Sequence, residues 1–222
     1  MKTPALDLLF ELYQFLCPFL PFAVMSFLLL HKSRKQKGGD GCLEEPSRRA
    51  EHLNFVGILL FGVYITMVLD VTGSGTLYDF LRSKGLNTAA VNLIPFSDPD
   101  LSAVGYTLNV IMLMPYGFLV PLLLKNMRKL WKMALAGAFF SVLIECSQLL
   151  NYRSTDVDDV ILNTLGAVLG YGLYRLFARI VRRDIGRDAC IPCECAVWVL
   201  SAFFGKFFLY NGLGFAILLY ET

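Results

Sequence analysis

Charged residues are scarce in this chain of 222 residues: aspartate, glutamate, lysine and arginine together supply only 17% of them. Soluble domains usually contain about 25% charged and about 45–50% apolar residues, whereas 56% of this chain is hydrophobic. The shortage of charge excludes an ordinary water-soluble fold, a disordered chain and a soluble nucleic-acid-binding domain. The net charge of +2 indicates no partner by itself, and we expect no nucleic-acid partner.

Long apolar blocks take the place of the short periodic patterns of soluble proteins. Each block has about 18 to 25 residues, enough for a helix to cross a hydrocarbon core of about 30 Å. We therefore predict an all-α, polytopic membrane bundle of about six transmembrane helices, at 6–30, 53–72, 105–124, 133–150, 160–180 and 196–220. The first block has no cleavage site before its basic flank, and we expect it to remain as a permanent span.

The basic residues predict how the spans are oriented. Fifteen of the 20 lysines and arginines fall in three segments, 31–52, 125–132 and 175–187. Loops rich in lysine and arginine face the cytoplasm, so these segments are predicted to lie on the cytoplasmic side of the membrane. Six spans then place both termini on the extracytoplasmic side, together with a long loop at 73–104 and a short loop at 151–159.

The six cysteines do not indicate a disulfide framework. Two lie within predicted spans, and the other four lie on the predicted cytoplasmic side, where thiols stay reduced: Cys42, Cys190, Cys193 and Cys195. Four thiolates could hold a zinc ion, but their spacing is loose and contains no repeated pair. We expect free thiols, no metal and no cofactor.

Polar side chains within the predicted spans are few, and each is costly to insert. Glu145 and Gln148 lie three residues apart on one face of the fourth span. Asn109, Glu145 and Asn163 each lie ~5–8 Å below the outer boundary, at about 1.5 Å per helical residue. Three spans thus place polar groups at one depth, which predicts a polar pocket that opens outward. The alternative for Glu145 is a satisfied buried hydrogen bond to Asn109 or Asn163.

The short outer loop carries one basic and three acidic residues next to this pocket: Arg153, Asp156, Asp158 and Asp159. Asp156 is a candidate N-cap for the fifth span, and the two later aspartates suit the positive end of a helix. Arg153 could form a salt bridge with one of them. A role in binding and a role in capping stay open alternatives for the aspartates.

The long outer loop ends in a segment that contains Asn92, Pro95 and Phe96. Loops of this length are often lids or binding loops, and an ordinary turn into the third span is the alternative. The helical spacing of three apolar residues earlier in the loop predicts a short helix on the outer membrane interface: Leu77, Phe80 and Leu81. Lys206, which could snorkel or pair with a buried acid, receives no assigned role, and neither do Glu11 and Gln14.

The order of these motifs resembles the signature of VanZ-like membrane proteins. The resemblance covers about 60–175 and implies a four-helix membrane core within 53–180. The flanking segments are then an N-terminal span with a basic cytoplasmic loop, 1–52, and a cysteine-containing linker with a C-terminal span, 181–222. The resemblance implies that the site residues are Glu145, Gln148, Arg153, Asp156, Asp159 and Asn163, accompanied by Asn109 and by the segment Asn92-Leu93-Ile94-Pro95-Phe96.

VanZ-like proteins are associated with teicoplanin resistance and with the cell envelope. The resemblance therefore implies an outward pocket that binds an envelope lipid, a peptidoglycan-precursor group or a glycopeptide. The alternative is an enzyme that modifies a head group with Glu145 as general acid or base. Both histidines of the chain lie on the predicted inner side, however, and the sequence has no Gly-x-Ser-x-Gly elbow.

A transporter ranks third among the functions considered. A transporter is expected to have polar groups along a complete path and often two similar halves, whereas the polar residues here cluster near one face of the predicted bundle. The sequence indicates no oligomeric state.

Overall fold

The computed structural model describes residues 4–37, 48–83, 91–97, 103–150, 155–181 and 186–220. Within these ranges the chain is helical, which confirms the predicted all-α class. The helices are α1 (Pro4–Lys37), α2 (Arg48–Val71), α3 (Leu77–Ser83), α4 (Ala103–Leu123), α5 (Leu130–Gln148), α6 (Val157–Val181), α7 (Glu194–Phe204) and α8 (Gly212–Tyr220). The described residues also form two strands of two residues each, β1 (Val91–Asn92) and β2 (Thr155–Asp156), and a 3-10 turn at Lys125–Met127.

Five of the described helices are long and apolar enough to cross a membrane: α1, α2, α4, α5 and α6. A sixth span forms if α7, its π-helical extension Gly205–Leu209 and α8 are counted together, although they bend by 49°. The chain is therefore a multi-pass membrane protein of five or six helical spans. The short helix predicted around Leu77 is present as α3.

The break before α8 is a difference from the continuous block predicted at 196–220. The hydroxyl of Tyr13 in α1 donates to the Leu209 carbonyl at 2.7 Å and accepts the Asn211 N–H at 2.8 Å. The Asn211 side chain then accepts the Gly214 N–H at 3.0 Å. Side chains thus satisfy the backbone groups that the break releases, which is the condition for irregular backbone in a membrane. Hydropathy carries no signal for such a local arrangement.

The packing of α4 against α6 is close because glycines line the contact. A Cβ atom added at Gly166 would overlap the Val110 carbonyl oxygen, and one added at Gly170 would overlap the Met114 carbonyl oxygen. Small residues let membrane helices approach to backbone contact. This contact fixes the start of α6 beside the start of α4.

Lys206 is buried and has an acidic partner, although that acid is exposed and not buried as the pairing alternative assumed. Its ammonium group lies 3.3 Å from Oδ1 of Asp70, near the end of α2, and 4.1 Å from the ring centroid of Tyr210. Gln14 donates to the same carboxylate and accepts the Tyr210 hydroxyl at 2.9 Å. Lys206 therefore joins the C-terminal segment to α2, and Tyr210 joins the same segment to α1.

The linker between α6 and α7 folds back on the end of α4. Arg187 exchanges backbone hydrogen bonds with this region, since its N–H donates to Leu123 and its carbonyl accepts from Lys125. Its guanidinium pairs with the buried carboxylate of Glu194, which also accepts the Cys190 N–H at 2.7 Å. Among the described residues all five cysteines are free, and no cluster of histidine, cysteine or acidic residues could hold a metal. Cys42 lies outside the described residues.

Candidate functional site

The candidate site lies where two distant loops meet at one end of the bundle. β1 and β2 pair in parallel, with Val91 opposite Thr155 and Asn92 opposite Asp156. The Asn92 amide also donates to the Asp156 carboxylate at 3.2 Å. We call this end, which carries β1, β2 and the first turns of α4 and α6, the strand end. The two strands bring the outer-loop motif and the aspartate motif together.

Asn92 shapes the loop that follows β1. Its side-chain oxygen accepts the Ile94 N–H and the Ser97 hydroxyl, both at 3.1 Å. The Ser97 hydroxyl also lies 2.8 Å from the Ile94 carbonyl oxygen. Pro95 and Phe96 are exposed within this turn. Asn92 therefore acts on the backbone of its own loop as well as on Asp156.

Asp158 is buried and holds this loop against α4. One of its carboxylate oxygens accepts the Phe96 N–H at 2.8 Å, and the other accepts the Tyr106 hydroxyl. The rings of Phe96 and Tyr106 meet edge to face with centroids 5.9 Å apart. Sequence reasoning gave Tyr106 no role, because a tyrosine in the first turn of a span is an ordinary feature of membrane interfaces.

Glu145, near the end of α5, is also buried. Its Oε2 atom accepts the Asp156 N–H at 3.1 Å, and its backbone carbonyl accepts the Thr155 hydroxyl at 3.2 Å. Asp156 in turn accepts the Asp158 N–H at 2.9 Å, which is the geometry of an N-cap on α6. One role of Glu145 is therefore to fasten β2 and the start of α6 to α5.

Asn109 and Asp159 form a direct pair between α4 and α6. The Asn109 amide donates to Oδ1 of Asp159, and both side chains are only partly buried. Neither Oδ2 of Asp159 nor the Asn109 side-chain oxygen accepts a hydrogen bond from another described residue. Two acceptor oxygens thus remain available beside the loop that Asp158 holds.

Asn163 extends the polar contacts of Asp159 toward the interior of the bundle. Its amide donates to the Ser141 hydroxyl at 2.9 Å, and that hydroxyl lies 3.4 Å from the Asp159 carbonyl oxygen. The side-chain oxygen of Asn163 is buried and accepts no hydrogen bond from the described residues. Asn109 on α4 is therefore connected to Asn163 on α6 through Asp159 and through Ser141 of α5. The common depth of Asn109, Glu145 and Asn163 stays a prediction.

Gln148 contacts a different element. Its amide donates to the Thr72 carbonyl at 3.0 Å, just after α2, and its own carbonyl oxygen is buried without a described partner. Gln148 thus joins α5 to α2 one turn beyond Glu145. Arg153, the predicted basic partner of the aspartates, lies outside the described residues.

The electrostatics of the described part of the strand end are acidic. Glu145, Asp156, Asp158 and Asp159 belong to it, and the first three use their carboxylates to accept backbone N–H groups. Both histidines of the chain lie away from the strand end, His31 near the end of α1 and His52 near the start of α2. The described site offers oxygen acceptors for hydrogen-bond donors or a cation, and it offers no imidazole.

The chain matches the protein-family model described as VanZ/LLP1 over residues 55–178. This range is more than half of the chain and includes both strands, α4, α5 and most of α6. No curated protein and no solved structure matches the chain.

Proposed function

The chain belongs to the VanZ/LLP1 family, and from this membership together with the strand-end geometry we propose that it binds the polar head group of a cell-envelope lipid or lipid-linked precursor. The strand end faces outward in this proposal, because the basic segments lie at the other end of the spans. Binding of this group, or of a glycopeptide that competes for it, would contribute to teicoplanin resistance.

The observation that carries the proposal is the Asn109–Asp159 pair. It is the place in the described strand end where a half-buried carboxylate and an amide keep oxygen acceptors that no described residue uses. Such acceptors suit the hydroxyl or ammonium donors of a head group, and a charged acceptor makes the stronger hydrogen bond. Asp159 is therefore the principal recognition residue, and Asn109 fixes its orientation.

Glu145, Asp156 and Asp158 support this pair. Each accepts a backbone N–H, and together they fix β2, the start of α6 and the loop after β1. Arg153, Gln148 and Asn163 belong to the proposed site through the family motif, and Asn163 reaches Asp159 through Ser141. The loop residues Asn92, Pro95 and Phe96 border it.

Binding without turnover is favoured over catalysis. A general acid or base must reach the reacting group within hydrogen-bond distance, and the carboxylate of Glu145 is buried against the Asp156 backbone instead. The enzyme alternative predicts that a chemically altered lipid accumulates with the protein, whereas the binding proposal predicts an unaltered one.

The test is to purify the protein from membranes in mild detergent and to identify the retained lipids by mass spectrometry. We expect one class of envelope lipid to be enriched on the wild-type protein over the membrane average. Asp159→Asn should remove this enrichment, because it keeps the size of the side chain and deletes the charge. Asp188→Asn makes the same change at an exposed residue of the opposite end and should leave the enrichment intact.

Two outcomes would contradict the proposal. Wild-type protein without any enriched lipid would exclude a tightly bound head group. Equal enrichment on Asp159→Asn and wild type would remove the Asn109–Asp159 pair from the site.

A further inference from the structure

Three large apolar side chains project from the loop after β1, and one of them, Phe96, also meets the ring of Tyr106 edge to face. The exposed fractions are 72% for Leu93, 68% for Ile94 and 54% for Phe96. Singly exposed apolar residues are ordinary, but a group of neighbours on one loop indicates a contact with something outside the fold. We call residues 93–96 the apolar loop.

The apolar loop is held in one conformation although its side chains are exposed. Asn92 accepts hydrogen bonds from Ile94 and Ser97, and Asp158 accepts the Phe96 N–H. Phe96 has a φ of 55°, a left-handed conformation that a bulky side chain rarely adopts. A strained residue persists only where its surroundings determine it, and such residues cluster at ligand contacts. The loop is thus a fixed apolar surface.

The apolar loop is attached to the first turns of two helices that are long and apolar enough to span a membrane. Its two attachment points are Asp158, the second residue of α6, and Tyr106, the fourth residue of α4. Both helices are spans, so the loop lies level with their first turns, where the hydrocarbon core begins. Apolar side chains at this level are removed from water when a hydrocarbon chain covers them.

The apolar loop also adjoins the proposed head-group site. Asp158, which holds Phe96, is followed directly in the chain by Asp159, which is bonded to Asn109. The two neighbouring aspartates therefore connect an apolar surface to a pair of polar acceptors. This is the arrangement that an amphiphilic ligand requires.

We propose that the apolar loop binds the hydrocarbon chain of the same lipid whose head group lies at Asn109 and Asp159. The inference rests on the proposed function and deepens it, because it names the ligand class: an amphiphile with hydroxyl or ammonium donors and a long acyl or prenyl chain. A water-soluble head group without the chain loses the contacts with the loop and binds more weakly.

The first experiment compares lipid retention on purified variants, with the lipid identified by mass spectrometry. Leu93→Ser combined with Ile94→Ser should reduce the retained lipid about tenfold, because two apolar contacts are lost. These side chains are exposed, so the variant should elute as a single species with the unfolding temperature of wild type. If the double variant does not fold, Ile94→Ser alone takes its place, and the expected loss of retained lipid is then smaller. Leu81→Ser on α3, at a position 67% exposed, is the matched control and should retain the lipid.

The outcomes separate this inference from the proposed function. Loss of lipid from Asp159→Asn with full retention on the loop variants would overturn the role of the loop and leave the head-group site standing. Full retention on Asp159→Asn, or no enriched lipid on wild type, would contradict the proposed function itself. Equal losses from the loop variants and from Leu81→Ser would indicate a general effect of surface polarity and would also overturn the inference.

A second measurement tests the hydrocarbon contact directly. The chain has two tryptophans, Trp131 and Trp198, and Trp198 is fully buried. Ile94→Trp in a Trp131→Phe background places a reporter on the apolar loop. In vesicles of phosphatidylcholine with brominated chains, we expect stronger quenching of this variant than of the Trp131→Phe background alone. Equal quenching of the two would show that the loop lies in water, and the inference would fail.

Discussion

The buried carboxylate of Glu145 lies 3.1 Å from the backbone nitrogen of Asp156 and accepts its N–H. This hydrogen bond joins the end of α5 to β2, and Asp156 in turn caps α6. Sequence analysis placed Glu145 at the centre of the site. In the structure, Glu145 stabilises the elements that carry the site. The acceptor oxygens that no described residue uses belong to Asp159 and Asn109 instead.

Glu145→Ala and Glu145→Gln should differ sharply in stability. Alanine leaves the Asp156 N–H without its buried partner, which costs about 1–3 kcal/mol, whereas the glutamine carbonyl can accept the same N–H. We expect Glu145→Ala to lower both membrane abundance and the unfolding temperature in detergent, and Glu145→Gln to stay close to wild type. Equal stability of Glu145→Ala and wild type would show that the hydrogen bond contributes nothing.

The glycines between α4 and α6 give a test of the core packing. Gly170→Ala should disrupt folding, because the new methyl group overlaps the Met114 carbonyl oxygen and the backbone cannot move aside cheaply. Gly172→Ala, two residues later on the same helix, adds a methyl group where no atom lies within 4 Å. We expect it to fold as wild type does, since alanine favours a helix over glycine. Folded yield after size-exclusion chromatography measures both, and similar yields would contradict the close packing.

The Lys206–Asp70 pair predicts a nonadditive effect on stability. Asp70→Asn leaves the buried ammonium of Lys206 without its counter-charge and should lower the unfolding temperature. The loss should stay below the about 3–5 kcal/mol typical of fully buried pairs, because the Asp70 side chain is exposed. Lys206→Met in the Asp70→Asn background removes the uncompensated charge and should recover part of the loss. A double variant less stable than either single variant would contradict the ion pair.

The predicted orientation is tested by labelling introduced cysteines with an impermeant reagent on intact cells. Ser97→Cys, at the strand end, should gain label relative to wild type, and Ser33→Cys, near the end of α1, should not. The reason is the bias of lysine and arginine toward the opposite end of the spans. The reverse pattern would place the candidate site on the cytoplasmic side.

The helical spacing of three apolar residues predicted α3, and hydropathy and composition were sufficient to predict the helical class and five of the membrane spans. They work because each property is summed over many residues. The break at Tyr210 and Asn211 depends on a single hydroxyl, that of Tyr13, reaching from another helix. The pairing of β1 with β2 involves two residues on each strand, too few for a sequence pattern to be visible.

The contacts between the site residues were harder to predict than their positions along the helices. Asn109, Glu145 and Asn163 were expected at one level, and the structure connects Asn109 to Asn163 through Asp159 and Ser141. Sequence spacing gives the depth of a residue, but the rotation of each helix decides which side chains meet. The contact of Asp158 with Tyr106 depends on such a rotation, and no spacing rule identifies it.

The central claim is that Asp159 supplies the recognising charge and Glu145 supports the fold around it. The most direct test is the amount of enriched envelope lipid per protein molecule on Asp159→Asn and on Glu145→Gln, purified in the same way and compared at equal folded yield. The account predicts that Asp159→Asn loses the lipid while Glu145→Gln keeps it. Retention on Asp159→Asn with loss on Glu145→Gln would contradict it and return the recognising charge to Glu145.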